Sequence, residues 1–478
     1  MIPRFSAATA FALFAVLALP AAASPPVDVT PAVAARIDTA LAAATGSTRG
    51  KTPALSVAVV ENGRIVYARA FGVGDITART PATTETRFRI ASVTKMFTAV
   101  AVMQLVEAGR VRLDEPLATY LPDAPHAAEV TIRQLLTHTS GLWNYGDDAF
   151  ATGRVATPTT PRAIIASLAQ RPLDHKPGAA FSYSNTGYVL LGLVVEAVSH
   201  QTLADYEREH VFGPAKMTAT TFGEAPPGAP AAQGYMDATG TAAIPYSPSW
   251  FYGDGDIVST ASDVARFDIA LMDGTLVKST TFAEMQSSAV AAPELGRGVR
   301  YGLGLRLFST GGATFVGHHG GVPGFEADNE LLPAERYALV VLSDAFDFLT
   351  TIANAAVNRE TLPAIVAQEA KDNATPSGPD DPVVTAKLRT FVTDLQRGTV
   401  DPAAVTAEVK AGFTPQVLTQ LGEQLGAAGT LRTLTFKGKT SSPGLTAYRY
   451  NAAFAGGRTA VLTIVIDKDG KIAGFFVA

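Results

Sequence analysis

Lys95 is the one charged residue between Ile90 and Val106, and the run Met96-Phe97-Thr98-Ala99-Val100-Ala101-Val102-Met103 follows it. A helix that is apolar on every side has no face to turn to water. It needs protein all round it, so this chain must build layers about a central buried helix. With 478 residues, 47% of them hydrophobic, it has the material for a large core and for two domains.

Ser92 stands three residues before Lys95 at the start of that helix. Side chains so spaced lie one above the other. A serine hydroxyl is a weak nucleophile until a base takes its proton. A lysine held among apolar groups becomes such a base, because burial disfavours its charged form. The structural alternative is a capping serine with a snorkelling surface lysine, and the apolar run argues against it. Ser92-Val93-Thr94-Lys95 is the one S-x-x-K in the chain.

Two further segments carry chemistry. Tyr183-Ser184-Asn185 is the one Y-x-N among thirteen tyrosines. It follows turn residues and precedes the helical run Val189 to Val198. A phenol there can relay protons, and the Asn185 amide can bind a substrate carbonyl or amide. Taken alone, a loop tyrosine with a capping asparagine is the better explanation. The second is Gly317-His318-His319-Gly320-Gly321, after the strand-like Tyr301 to Leu307 and Thr314-Phe315-Val316. The glycines allow close approach to the backbone. The register is open, because His319-Gly320-Gly321 fits the same [K/H]-x-G pattern. The seven histidines are scattered, with no H-E-x-x-H and no cysteine, so no metal site is expected.

In this order the three elements resemble those of the serine β-lactamase and penicillin-binding-protein superfamily, in the branch of class C β-lactamases, DD-peptidases and related esterases. Supporting segments are Phe88-Arg89-Ile90-Ala91, Leu135 to Leu142, Leu190-Leu191-Gly192, Phe212 to Met217 and Gly255 to Thr260. The likeness runs from about Pro53 to about Pro363. It implies Ser92 as acylated nucleophile, with Lys95 and Tyr183 as its proton network. It implies Asn185, His318 and Gly320 as substrate-binding, His318 orienting Tyr183 or a substrate carboxylate. The backbone N–H groups of Ser92 and Gly321 would form the oxyanion hole. One departure matters. Class C β-lactamases usually carry K-T-G in the third motif, whereas His318-His319-Gly320 stands here, a version commoner in DD-peptidases, D-aminopeptidases and esterases. Histidine can be uncharged at neutral pH, which argues against efficient β-lactam hydrolysis. The E-x-x-x-N pattern of class A is absent between Tyr183 and His318.

The expected fold class is α+β: a β-lactamase/transpeptidase-like domain, with an antiparallel sheet, flanking helices and an all-helical lobe, followed by a small α+β domain. The sheet is assembled from both ends of the first domain, beginning with a hairpin at Asn62-Gly63. Expected boundaries are a signal peptide at 1–23, the hydrolase domain at 24–370, a Pro/Gly/Asp linker at 371–382 and an accessory domain at 383–478. That last domain reads as a helix (Val383 to Leu395), two shorter helices before Gly426 and then four strands, an order that resembles an NTF2-like domain. Arg4, the apolar Ala10 to Leu19 and Ala21-Ala22-Ala23 form the secretory pattern. The protein is therefore expected to be secreted or periplasmic, without stable membrane association after cleavage.

Net charge is −5 with mixed signs, which excludes a nucleic-acid partner. A chain without cysteine has neither disulfides nor a thiol nucleophile. The expected function is hydrolysis of an amide, lactam or ester in a small molecule or peptide, without cofactor. The competing function is a penicillin-binding sensor whose acyl state persists. Oligomeric state is left open. His138 is expected as a loop histidine satisfied by backbone, Trp143 and Tyr145 as cleft or packing aromatics, and Asp254 and Asp256 as turn formers.

Overall fold

A computed structural model describes residues 26–44, 53–374 and 380–477, apart from 238, 297, 347–348, 443–444, 456–458 and most of 407–427. The expected signal peptide lies outside the described residues. The chain divides into two compact units, one ending at Val366 and the other beginning at Ala367.

The first unit opens with helix α1 (Pro31–Ala44), which the sequence reading did not foresee. Strands β1 (Leu55–Glu61) and β2 (Arg64–Phe71) form the expected hairpin. Helix α2 (Thr94–Glu107) carries Lys95. Helix α3 (Asn185–Ser199) belongs to the helical part of the unit, and α4 (Ala261–Met272) leads back towards the sheet. Strands β3 (Val290–Ala291), β4 (Arg300–Tyr301), β5 (Arg306–Thr310), β6 (Ala313–Val322), β7 (Phe325–Leu332) and β8 (Tyr337–Ser343) follow, and α5 (Leu349–Thr361) covers them.

These strands make one eight-stranded antiparallel sheet in the order β2-β1-β8-β7-β6-β5-β4-β3. The two ends of the unit meet in it, where Leu55 pairs with Ser343 and Val60 with Ala338. Side chains alternate across a strand. Val57 and Val59 join Ile37 and Leu41 of α1 and Val357 of α5 on one face. Ala58 and Val60 join Met96 and Phe97 of α2 on the other. The central helix is enclosed as its sequence requires, with Met96, Phe97, Val100 and Met103 fully buried. Each such side chain contributes about 1.5–3 kcal/mol of transfer free energy. The Phe97 ring stacks on Phe267 of α4 at 3.9 Å between centroids.

Three expectations need correction. The strand expected over Tyr301 to Leu307 is broken between β4 and β5, because Gly304 adopts φ +80° and lies where a Cβ would strike the Ala99 Cβ at 2.2 Å. The short run expected at Thr314 to Gly317 is part of the ten-residue β6, which places the third motif inside a strand. The expected linker is helical at its start, since Pro363–Ala374 is one helix.

In the second unit, helix α6 (Pro382–Gln396) is capped by Asp381, which accepts from the backbone of Val383 and Val384. Strands β9 (Leu431–Ser442), β10 (Leu445–Phe454), β11 (Thr459–Asp467) and β12 (Ile472–Val477) form an antiparallel sheet in sequence order. Leu388, Phe391 and Leu395 of α6 pack with Tyr450, Leu462 and Ile464 in a core of their own. The two shorter helices expected before Gly426 fall mostly outside the described residues.

Candidate active site

Ser92 lies on a single 3₁₀ turn, Ala91–Val93, that runs directly into α2. Ala91 takes the left-handed φ of +47°, costly for a residue with a side chain. The turn is held by Ile90 N–H, which donates to Ile257 O, and Val93 N–H, which donates to Ile90 O. From the other side β6 presses on it. A Cβ on Gly320 would lie 2.4 Å from Ile90 O and 2.9 Å from Ser92 N. Gly320, without a side chain, lets the strand approach the Ser92 backbone.

The one-turn spacing places Lys95 Nζ 3.0 Å from Ser92 Oγ. Nζ also donates to Asn185 Oδ1 at 2.8 Å and to the Asp254 carbonyl oxygen at 2.7 Å. Lys95 is fully buried, and burial lowers its pKa to about 8 against the opposing pull of Asp254. The geometry suits both protonation states. The ammonium has three N–H groups for three acceptors. When Lys95 is neutral, its two remaining N–H groups go to Asn185 Oδ1 and Asp254 O, neither of which can donate. The lone pair then faces Ser92 Oγ, the one partner with a proton to give.

Tyr183 flanks the same pair, its ring centroid 5.0 Å from Lys95 Nζ. Burial raises its pKa above that of an ordinary phenol. Burial thus favours the neutral phenol of Tyr183, and Lys95, with its lowered pKa, is the group of the pair that can accept a proton near neutral pH. Asn185 begins α3, where its N–H donates to Asn144 Oδ1 at 3.1 Å. With its oxygen engaged by Lys95, its NH₂ group is the part that can donate to a substrate.

His318 is buried on β6, opposite Asn329 of β7. Nδ1 lies 2.5 Å from His319 O and Nε2 2.8 Å from the Tyr301 hydroxyl. Both ring nitrogens are thus engaged within the protein, and the ring stands 6.3 Å from Tyr183 between centroids. Its two ring nitrogens make no hydrogen bond to Tyr183. Burial and the nearby Lys95 hold His318 well below the ordinary histidine pKa. β5 pairs with β6 only as far as Gly317, so no described strand covers residues 318–322 on that side. Gly321 lies on this stretch, exposed, next to Gly320.

His138 is backbone-bound as expected: Nδ1 accepts from Ser184 N–H at 3.1 Å. Its ring also packs on Tyr183 at 4.2 Å and Tyr301 at 4.6 Å between centroids. Tyr145 is buried, its hydroxyl 2.8 Å from Asp254 Oδ2 and 2.6 Å from Trp250 O. Asp254 proves to be more than a turn former, since its carbonyl anchors Lys95. Burial raises the pKa of Asp254, and takes that of Asp256 to about 8 even beside Arg89. The Asp254 carbonyl and Tyr301 are the parts of the site that the sequence reading missed.

The family model described as Beta-lactamase matches residues 33–362. The chain belongs to the beta-lactamase family. PbpX of Bacillus subtilis (strain 168), which carries a penicillin-binding-protein name, is 30% identical over 289 residues, 60% of this chain and 69% of that protein. D-amino acid amidase from Ochrobactrum anthropi SV3, solved with L-phenylalanine amide, is 28% identical with a TM-score of 0.62. The match covers 70% of this chain and 99% of the amidase. A D-stereospecific amidohydrolase from a Streptomyces species is 27% identical with a TM-score of 0.57, over 68% and 98% of the two chains. The protein is a serine hydrolase of this family, with the β-lactamase/transpeptidase-like α+β fold.

Proposed function

We propose that this hydrolase acts through a Ser92 acyl-enzyme on D-amino-acid amides and esters. The observation that carries the reading is the Lys95 amine, fixed by Asn185 and Asp254 so that its lone pair faces Ser92 Oγ at 3.0 Å. Ser92 Oγ attacks the substrate carbonyl carbon while its proton passes to Lys95 Nζ. The oxyanion forms against the N–H groups of Ser92 and Gly321. Collapse breaks the bond to the leaving group, which takes a proton from Tyr183, and Tyr183 is reprotonated from Lys95. Water then attacks the ester carbonyl, gives its proton to the same network, and frees the acid and Ser92.

The substrate class follows from charge. A neutral, fully hydrogen-bonded His318 has nothing to offer a substrate carboxylate. The exposed Glu294 accepts from Tyr183 N–H at 3.3 Å, so a carboxylate stands beside the site as a counterion for an α-ammonium group. An amino-acid amide or ester has the ammonium and lacks the carboxylate. The D configuration rests on the likeness to the amidase and the amidohydrolase. We further place the enzyme outside the cytoplasm, on the secretory pattern of residues 1–23.

Intact-protein mass spectrometry of the native protein and of Ser92→Ala, after mixing with D-phenylalanine amide, D-phenylalanine p-nitrophenyl ester and a cephalosporin, tests this. A transient adduct with release of D-phenylalanine, absent in Ser92→Ala, is expected. Turnover by Ser92→Ala would sink the mechanism. A lasting β-lactam adduct without turnover of any substrate would identify a penicillin-binding sensor instead.

A further inference from the structure

We propose that Tyr301 is a specificity-determining positioning residue: its hydroxyl locks His318 into the protein and so withholds the third-motif imidazole from carboxylate-bearing substrates. The inference rests on the acyl-enzyme reading, because His318 matters to substrate choice only if substrate lies along residues 318–322.

The proton positions follow from the partners. His319 O can only accept, so Nδ1 of His318 carries the ring proton at 2.5 Å. Nε2 is then the lone-pair nitrogen of a neutral ring, and the Tyr301 hydroxyl donates to it at 2.8 Å. Imidazole has no third in-plane position, so nothing is left for a ligand. Protonation at Nε2 would require Tyr301 to turn its proton away. The charged groups around the ring oppose this: Lys95 from α2 and Arg306 from β5 both disfavour a cation there. His319 on the same strand and His138 from the helical side are themselves depressed by burial.

Tyr301 is placed independently of His318. It is fully buried and pairs through its backbone with Val290 of β3 and Arg306 of β5. Its ring contacts His138 at 4.6 Å and Phe181 at 5.8 Å between centroids. The phenol is therefore the fixed partner, and the imidazole follows it.

The test is Tyr301→Phe, which keeps the ring packing and deletes the hydroxyl. Freed at Nε2, His318 can take a proton against the opposition of burial, Lys95 and Arg306 only when a substrate carboxylate supplies the counter-charge, and it then donates a charge-assisted hydrogen bond to that carboxylate. At about pH 6, kcat/KM for a chromogenic cephalosporin should rise roughly tenfold, mainly through KM. That for p-nitrophenyl butyrate, which has no carboxylate, should stay within about threefold. An equal fall for both substrates would show Tyr301 to be packing alone and overturn the proposal. Nitrogen NMR of the histidine rings gives a second reading that needs no variant and no turnover. Native His318 should show a protonated Nδ1 and a bare Nε2 from about pH 5.5 to 8, where a free imidazole would titrate. A native ring that titrates there, or carries its proton on Nε2, overturns the proposal even if Tyr301→Phe does not fold. Failure of the native protein to acylate would instead sink the acyl-enzyme reading, and the nitrogen shifts would still decide whether the lock exists.

Discussion

Lys95 Nζ lies closer to the Asp254 carbonyl oxygen, at 2.7 Å, than to the Ser92 hydroxyl, at 3.0 Å. The base is thus anchored to the loop before Ile257 and offered to the serine, instead of resting on it. Anchoring fixes where the amine points, and burial lowers its pKa to about 8.

Acylation should therefore depend on the neutral amine. The rate of single-turnover acylation by a neutral ester is expected to rise with pH and to level off above about 8. The Asp254 carboxylate favours the Lys95 cation, so Asp254→Asn should move this rise to lower pH. The variant keeps its backbone carbonyl, so the anchor survives. A rise at unchanged pH in Asp254→Asn would mean that the carboxylate does not tune the base.

Gly320→Ala should separate folding from chemistry. The added methyl would meet Ile90 O at 2.4 Å and Ser92 N at 2.9 Å. Strand or turn must give way, and with it the Ser92 N–H proposed as an oxyanion donor. The kcat for ester hydrolysis should fall about 100-fold or more, the usual effect of losing such a donor. Circular dichroism should show the native fold. Activity within about threefold of native would mean that β6 does not set the donor's position.

Asp268 offers a test of stability. It is fully buried on α4, with Oδ1 accepting from Asn329 Nδ2 at 2.8 Å and Oδ2 without a partner among the described residues. Burial raises its pKa to about 8, against about 3.9 for an ordinary aspartate. The folded state therefore holds a proton that the unfolded chain has lost. The stability this group contributes is full below pH 4 and is lost as pH rises through about 8. Asp268→Asn removes the dependence. Relative to the parent it should gain on the order of 4 kcal/mol between about pH 5 and pH 9 in urea unfolding. Parallel stability curves for the two proteins would show that Asp268 titrates normally.

The second unit should be dispensable for chemistry. The family match ends at residue 362, and every residue of the candidate site lies before Val366. A chain ending at Ala374 should fold and acylate at a rate within about threefold of the full protein. Loss of acylation in a folded truncated protein would assign the second unit a part in the site.

How legible these features were in the sequence depends on what carried them. Ser92, Lys95, Tyr183 and Asn185 are side chains at fixed spacing, and the structure brings all four together. The hairpin at Asn62-Gly63 and the four terminal strands were legible because turn residues and period-two alternation are local signals. The Asp254 carbonyl was not, since a backbone acceptor leaves no trace in residue identity. Tyr301 read as a strand aromatic, and only the register of β4 against β5 shows that it faces His318. Helix α1 was overlooked because it finds its partners, Val341 and Val357, some 300 residues later.

The pairing of β1 with β8 has a consequence for biosynthesis. Val60 meets Ala338 across nearly 280 residues, and until that strand emerges β1 has an open edge and α2 lacks part of its floor. Contacts so distant in sequence form late and slowly. A nascent chain thus carries Ser92 and Lys95 long before the sheet against which α2 packs is complete. Reactivity toward an acylating probe then becomes a certificate of completion, issued only when the last strand of the first unit is in place.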